Sequence, residues 1–233
     1  MKKHIPNLLT SLNLFSGCIA VVMAFNGAYL WVVVWVIIAA LFDFSDGFAA
    51  RLLKAYSPMG KELDSLADVV SFGVAPGVTV FSFLSANVSL ISQNEIVCTY
   101  LPFFAFLLVV FSALRLAKFN IDERQSESFI GLNTPANALF WVSLCYGLMH
   151  TLPYVNAGIV YTVIVGIVVF SLLMVSEIPM FSLKIKSLKL KGNEFRYLLA
   201  LFVLGMVIYI GILGVAAGIL FYIALSIISS RNK

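Results

Sequence analysis

The chain has 233 residues, of which 61% are hydrophobic; only 15 are Lys or Arg and 11 Asp or Glu. An ordinary soluble domain is about half apolar and about a quarter charged, so this chain lacks the polar side chains to coat a water-soluble globule. Disordered chains and disulfide-rich scaffolds are excluded by the same composition, which leaves an all-α, polytopic membrane protein.

The charges cluster, and the charge-free runs between clusters mark the helices. These runs are 4–42, 69–94, 96–114, 128–176 and 197–230. A membrane span needs about 20 residues. The first run breaks at Asn26-Gly27 and predicts helices over 7–25 and 28–56. Lys2-Lys3 ahead of an apolar stretch is reminiscent of a signal peptide, but Pro6, Asn7, Ser11 and Asn13 interrupt it and a second span follows at once. It is read as an uncleaved first helix. After a turn at Tyr56-Ser57-Pro58-Met59 come helices over 61–86 and 96–118. The fourth run breaks between Pro153 and Gly158, giving helices over 136–152 and 156–177. The last run would be about 51 Å long as one helix, too long for a hydrocarbon core of about 30 Å. A turn near Gly211 and Gly214 splits it into 196–210 and 213–229.

About eight transmembrane helices follow, in a single membrane domain over 1–233 with both termini cytoplasmic. Charge supports this arrangement. Every Lys and Arg falls in segments 1–6, 51–61, 115–135, 178–196 or 230–233, all on one side of the membrane. Basic loops mark the cytoplasmic side. Cys18, Cys98 and Cys145 lie in apolar stretches without metal spacing and read as packing residues. His4 and His150 have no partner at useful spacing. Lys184, Lys186, Lys189 and Lys191 read as a topology mark on a solvated loop, with anionic lipid as the functional alternative.

Four acids lie within or beside predicted spans: Asp43, Asp46, Asp64 and Asp68. A lone carboxylate there costs several kcal/mol, so a set of four calls for a compensating cation or a water-filled site. At 100° per residue Asp43, Asp46, Gly47 and Ala50 share a stripe, and Gly60, Asp64 and Asp68 recur every four residues on the next helix. The hairpin over 28–86 brings the two stripes level. Four carboxylates match two divalent cations, and an all-oxygen ligand set favours Mg²⁺, Mn²⁺ or Ca²⁺. Two such ions suit phosphoryl transfer. Gly47, Ala50 and Gly60 admit a bulky ligand, and Arg51 can hydrogen-bond a phosphate.

The string Asp43-x2-Asp46-Gly47-x2-Ala50-Arg51-x8-Gly60-x3-Asp64-x3-Asp68 resembles the signature of the CDP-alcohol phosphatidyltransferases, with all eight fixed positions filled. The resemblance implies an integral membrane enzyme that displaces CMP from a CDP-linked lipid with an alcohol hydroxyl. It implies two divalent ions, Mg²⁺ or Mn²⁺, held by Asp43, Asp46, Asp64 and Asp68, with Asp68 also the catalytic base. Gly47, Ala50, Arg51 and Gly60 would bind the CDP-lipid, as would Asn7 and Thr10 in the N-terminal segment Ile5-Pro6-Asn7-Leu8-Leu9-Thr10. That segment, with Asn13 and Gly17, resembles the branch of the family that takes L-serine as acceptor. So do 65–76, Arg115-Leu116-Ala117-Lys118-Phe119-Asn120 and 129–136, where Asn133 stands in place of the branch's common Pro. The match covers about 1–140.

The substrates so implied are CDP-diacylglycerol and L-serine, with the active site facing the cytoplasm of the cell (inner) membrane. Arg115, Lys118, Asn120 and Ser71 are the candidate serine-binding residues, and the polar loop 119–135 is a candidate lid. The family suggests a homodimer; no nucleic-acid partner is expected. Two other readings stand beside this one: the same chemistry with glycerol phosphate or an inositol compound as acceptor, and a cation transporter whose intramembrane carboxylates form the ion path.

Overall fold

The computed structural model describes residues 4–122, 129–151, 153–181 and 193–231. Among the described residues there are eight helical runs: α1 His4–Phe25, α2 Tyr29–Leu52, α3 Pro58–Leu90, α4 Glu95–Ile121, α5 Thr134–His150, α6 Ala157–Val175, α7 Glu194–Ile210 and α8 Leu213–Arg231. They stand at the eight expected positions. Five of them (α1, α2, α3, α4 and α6) are long and apolar enough to cross a membrane. Helices α5 and α7 have 17 residues each, which is about 26 Å against a hydrocarbon core of about 30 Å. The chain is therefore an all-α, multi-pass membrane protein. Lys2, Lys3, Arg124, Lys233 and the four lysines 184–191 lie outside the described residues.

Local chemistry sets the helix ends. Helix α2 stops at Leu52, four residues before the expected end at 56, and Lys54 adopts a left-handed φ of 50°. Ser57 then caps α3, its hydroxyl accepting from the Gly60 amide at 3.0 Å, and Pro58 takes the first helical position. Proline there lacks only an N–H that the helix start leaves unpaired. So α3 begins three residues before the expected 61. Farther on it passes through a π-helical turn at Val69–Val74. Pro76 cannot donate to the carbonyl four residues back, and the Ala75 amide reaches five back, to Val70. A wider turn absorbs that loss without breaking the helix.

The hydrophobic effect does not drive helices together in lipid; close packing and hydrogen bonds do. Ala20, Ala24, Val32, Val36 and Ala39 form a buried small-residue seam between α1 and α2. A larger core centres on Trp141, Phe140 and Phe170, with Phe140 and Phe170 stacked at 4.0 Å. The Trp141 indole donates to Asn137 Oδ1 at 3.1 Å. Two short antiparallel strands, Phe129–Ile130 and Pro179–Met180, complete the fold and had no signal in the helical periodicity. They fasten the end of the loop expected as a lid; its residues 123–128 lie outside the described residues. Gly131, at φ +76°, sits where a Cβ would come within 2.5 Å of the Met174 carbonyl. Only glycine allows that approach.

Candidate active site

Helices α2 and α3 bring three carboxylates together: oxygens of Asp43, Asp64 and Asp68 all lie within 4.8 Å of one another. The fourth acid of the motif, Asp46, lies one turn farther along α2 and turns toward α1. It accepts a hydrogen bond from the Thr10 hydroxyl at 2.5 Å. The level stripes thus give a trio plus one, with the fourth acid bonded to α1.

Two cavities meet at this cluster. The first is lined by Asn7 and Thr10 of α1, Asp46, Gly47 and Ala50 of α2, and Gly60, Lys61 and Asp64 of α3. The second is lined by Asp43, Asp64, Asp68, Arg115, Phe119, Asn120 and Asn133, among others. Among the described residues, Lys61 and Asp64 line both. Small side chains keep the first cavity open: a Cβ on Gly60 would approach Asn7 Oδ1 to 3.1 Å, and nothing lies within 4 Å of one on Gly47.

The donor set suits a hard cation. Carboxylate oxygen is the preferred ligand of Mg²⁺ and Mn²⁺. Asp64 Oδ1 is buried without a hydrogen-bond partner. Among the described residues, no Lys or Arg forms an ion pair with any of the four acids. Buried charge of that kind is retained only where something else compensates it.

Of the serine-site candidates, the structure brings two to the second cavity. Arg115 is 7% exposed, lies 4.9 Å over the Phe119 ring, and makes no ion pair among the described residues. Asn120 donates to Ser65 Oγ at 2.8 Å, and its carbonyl accepts from Lys61 Nζ at 2.9 Å. Lys118 points elsewhere: it donates to the Val175 carbonyl at 3.2 Å and pairs with Glu177, so it caps the C-terminus of α6. Ser71 is buried against α1 and donates to the Asn13 carbonyl at 3.0 Å. Arg51 is exposed and lines neither cavity.

One residue that sequence reading left out of the site is Asn13. It is fully buried, and its side-chain amide donates to Asp68 Oδ1 at 3.1 Å. Its signal in the sequence was a polar residue in an apolar run. Asn133, the departure noted above, caps α5: its Oδ1 accepts from the Ala136 amide at 2.8 Å. A proline at that position could not do this.

Comparison with known proteins agrees with the motif. The family model for CDP-alcohol phosphatidyltransferase matches residues 3–175, extending past the stretch legible by eye. A CDP-diacylglycerol–serine O-phosphatidyltransferase of Helicobacter pylori is 34% identical over 206 residues, covering 87% of this chain and 80% of the relative. One from Methanocaldococcus jannaschii is 33% identical over 175 residues, covering 75% and 72%. An archaetidylserine synthase of Methanothermobacter thermautotrophicus is 34% identical over 137 residues, covering 58% of this chain and 54% of the relative.

Proposed function

The chain belongs to the CDP-alcohol phosphatidyltransferase family, and we propose that it moves the phosphatidyl group of CDP-diacylglycerol onto the hydroxyl of L-serine, releasing CMP. The observation that carries this reading is the pair of cavities meeting at Asp64, with the carboxylate trio at their junction. The relatives' names support the acceptor. The H. pylori and M. jannaschii enzymes are named for CDP-diacylglycerol and serine, and the M. thermautotrophicus relative is named archaetidylserine synthase.

The first cavity takes the CDP portion, bounded by Asn7, Thr10, Gly47, Ala50 and Gly60; the second takes serine. Asp43, Asp64 and Asp68, with Asp46 beside them, would hold divalent metal, Mg²⁺ or Mn²⁺ in two ions. Bound there, it supplies charge neutralisation for the diphosphate. Arg115 pairs with the serine carboxylate through its planar fork, and Asn120 bounds the same cavity.

A serine hydroxyl is a poor nucleophile until its proton is withdrawn. Asp68 takes that proton. The Asn13 amide occupies Oδ1 of Asp68, which leaves Oδ2 for the hydroxyl. The serine oxygen then bonds to the phosphorus that carries diacylglycerol. The bond from that phosphorus to the CMP oxygen breaks, and its electron pair leaves with CMP. Ser65 lines the second cavity, but its hydroxyl donates to the Lys61 carbonyl at 3.3 Å and accepts from the Asn120 amide at 2.8 Å rather than bonding to a carboxylate, and the displacement is direct. The α2–α3 hairpin is the catalytic unit of a single membrane domain. Lys61 lines both cavities, and basic residues mark the cytoplasmic side, which supports chemistry on that side of the cell membrane.

The test uses purified full-length protein with CDP-diacylglycerol, Mn²⁺ or Mg²⁺ and labelled serine. Metal-dependent CMP release matched by labelled lipid is the expected result. Release with glycerol phosphate or inositol but not with serine would overturn the acceptor.

A further inference from the structure

We propose that Lys61 binds the phosphoryl group being transferred, contacting a non-bridging oxygen where the two cavities meet; this rests on the reaction proposed above. The position is the first argument. Among the described residues, Lys61 is the one Lys or Arg that lines the first cavity, and it lines the second as well. Among the described residues, only Asp64 shares that double placement. The transferred phosphorus begins bonded to CMP on one side and ends bonded to serine on the other, so a group at the junction stays beside it throughout.

Charge is the second argument. Four carboxylates balance two divalent ions, and a CDP-lipid then brings further anionic phosphate into the first cavity. Arg51, the cation expected there from the motif, is exposed and lines neither cavity. Arg115 lines only the second. That leaves Lys61.

Its present bonding is the third argument. Lys61 Nζ donates to the Asn120 carbonyl at 2.9 Å and makes no ion pair among the described residues, although Asp64 is three residues away on the same helix. An ammonium has three donors and no acceptor. Held by a neutral carbonyl, it keeps its charge uncompensated and two N–H groups for a phosphate. Asn120 is itself fixed from the other side, through its amide to Ser65 Oγ at 2.8 Å. The ammonium is thus aimed before the substrate arrives.

Three variants of the full chain separate this role from a tether between α3 and α4. Lys61→Gln keeps a neutral donor for the Asn120 carbonyl, Lys61→Met keeps neither donor nor charge, and Lys61→Arg keeps both. Turnover in Lys61→Gln and Lys61→Met is expected to fall about 100-fold, the usual effect of losing one electrostatic donor to a transition state. Lys61→Arg is expected to restore part of it. Inhibition by CMP, which lacks the transferred phosphoryl, is expected to stay within about twofold of wild type. Thermal melts report whether each variant folds. Wild-type turnover in Lys61→Gln would reduce Lys61 to a tether, and weaker CMP inhibition in parallel with lost turnover would make it a CMP ligand; either overturns the proposal. Wild-type protein assayed alongside keeps the two levels apart. If it releases no CMP in the presence of serine, the acceptor reading fails first and takes this inference with it.

Discussion

Substituting Asn13 by Ala tests how the base is held. The change removes the 3.1 Å bond from the Asn13 amide to Asp68 Oδ1 and leaves the Asn13 carbonyl, which holds Ser71, in place. A hydrogen bond to a charged group is worth about 1.5–3 kcal/mol. If that interaction orients Asp68 for proton transfer, its loss appears in turnover, at about 1.36 kcal/mol per tenfold. The expected fall in kcat is therefore about 10- to 160-fold, with the KM for serine nearly unchanged. The cost in stability is smaller, since interhelical hydrogen bonds in membranes average about 0.6 kcal/mol. Asn13→Asp has the same shape but sets an oxygen against Asp68 Oδ1, so it should do at least as badly as Ala. The assay is steady-state CMP release by purified variants, with melting followed in parallel. A kcat within about twofold of wild type in folded Asn13→Ala would refute the positioning role. A large loss of stability with unchanged kcat would reduce Asn13 to a structural clamp.

Arg115→Ala is expected to raise the KM for serine by about tenfold or more, the scale of one charge-assisted bond lost at a buried site. Lys118→Met is expected to leave it unchanged, because Lys118 serves α6 and Glu177; the opposite pattern would exchange their roles. Gly17→Ala places a Cβ 2.3 Å from Ser71 Oγ and 2.8 Å from Ser71 Cα. Overpacking of that kind costs about 1–3 kcal/mol, so a lower melting temperature is expected, partly recovered by Ser71→Gly; an unshifted melt would mean that α1 and α3 separate freely. Asp64→Asn is expected to raise the Mn²⁺ concentration for half-maximal activity at least about tenfold, since even losing a partner outside the ligand set costs 10–100-fold. An unchanged metal requirement would remove Asp64 from that set.

What was readable in the sequence followed from repetition and from charge. The stripe of Asp43, Asp46, Gly47 and Ala50 and the four-residue spacing of Gly60, Asp64 and Asp68 are helix geometry written directly into residue order, and the structure brings the carboxylates together. Helix positions were readable because lipid excludes charge. What failed depended on contacts between distant residues. Ser71 was misplaced because its hydroxyl bonds the Asn13 carbonyl, 58 residues earlier. Lys118 was misplaced because its partners, Val175 and Glu177, lie 57 and 59 residues away. Asp46 also accepts a bond from Thr10, 36 residues earlier, a contact that spacing within α2 and α3 does not reveal. Arg51 sat in the motif, but a motif gives spacing and not which way a long side chain turns.

Helix α2 carries Asp43 and Asp46 toward the site while Leu41, Phe44 and Phe48 are exposed on its outer face. Within eight residues one helix borders both a polar cleft and the acyl chains of the bilayer. Under the proposed reaction the two substrates therefore arrive in different dimensions, serine by diffusion through a volume and the CDP-lipid by diffusion over a surface. The rate at fixed serine should then follow the mole fraction of CDP-lipid in the membrane or micelle. Adding inert lipid would slow the enzyme without changing any bulk concentration.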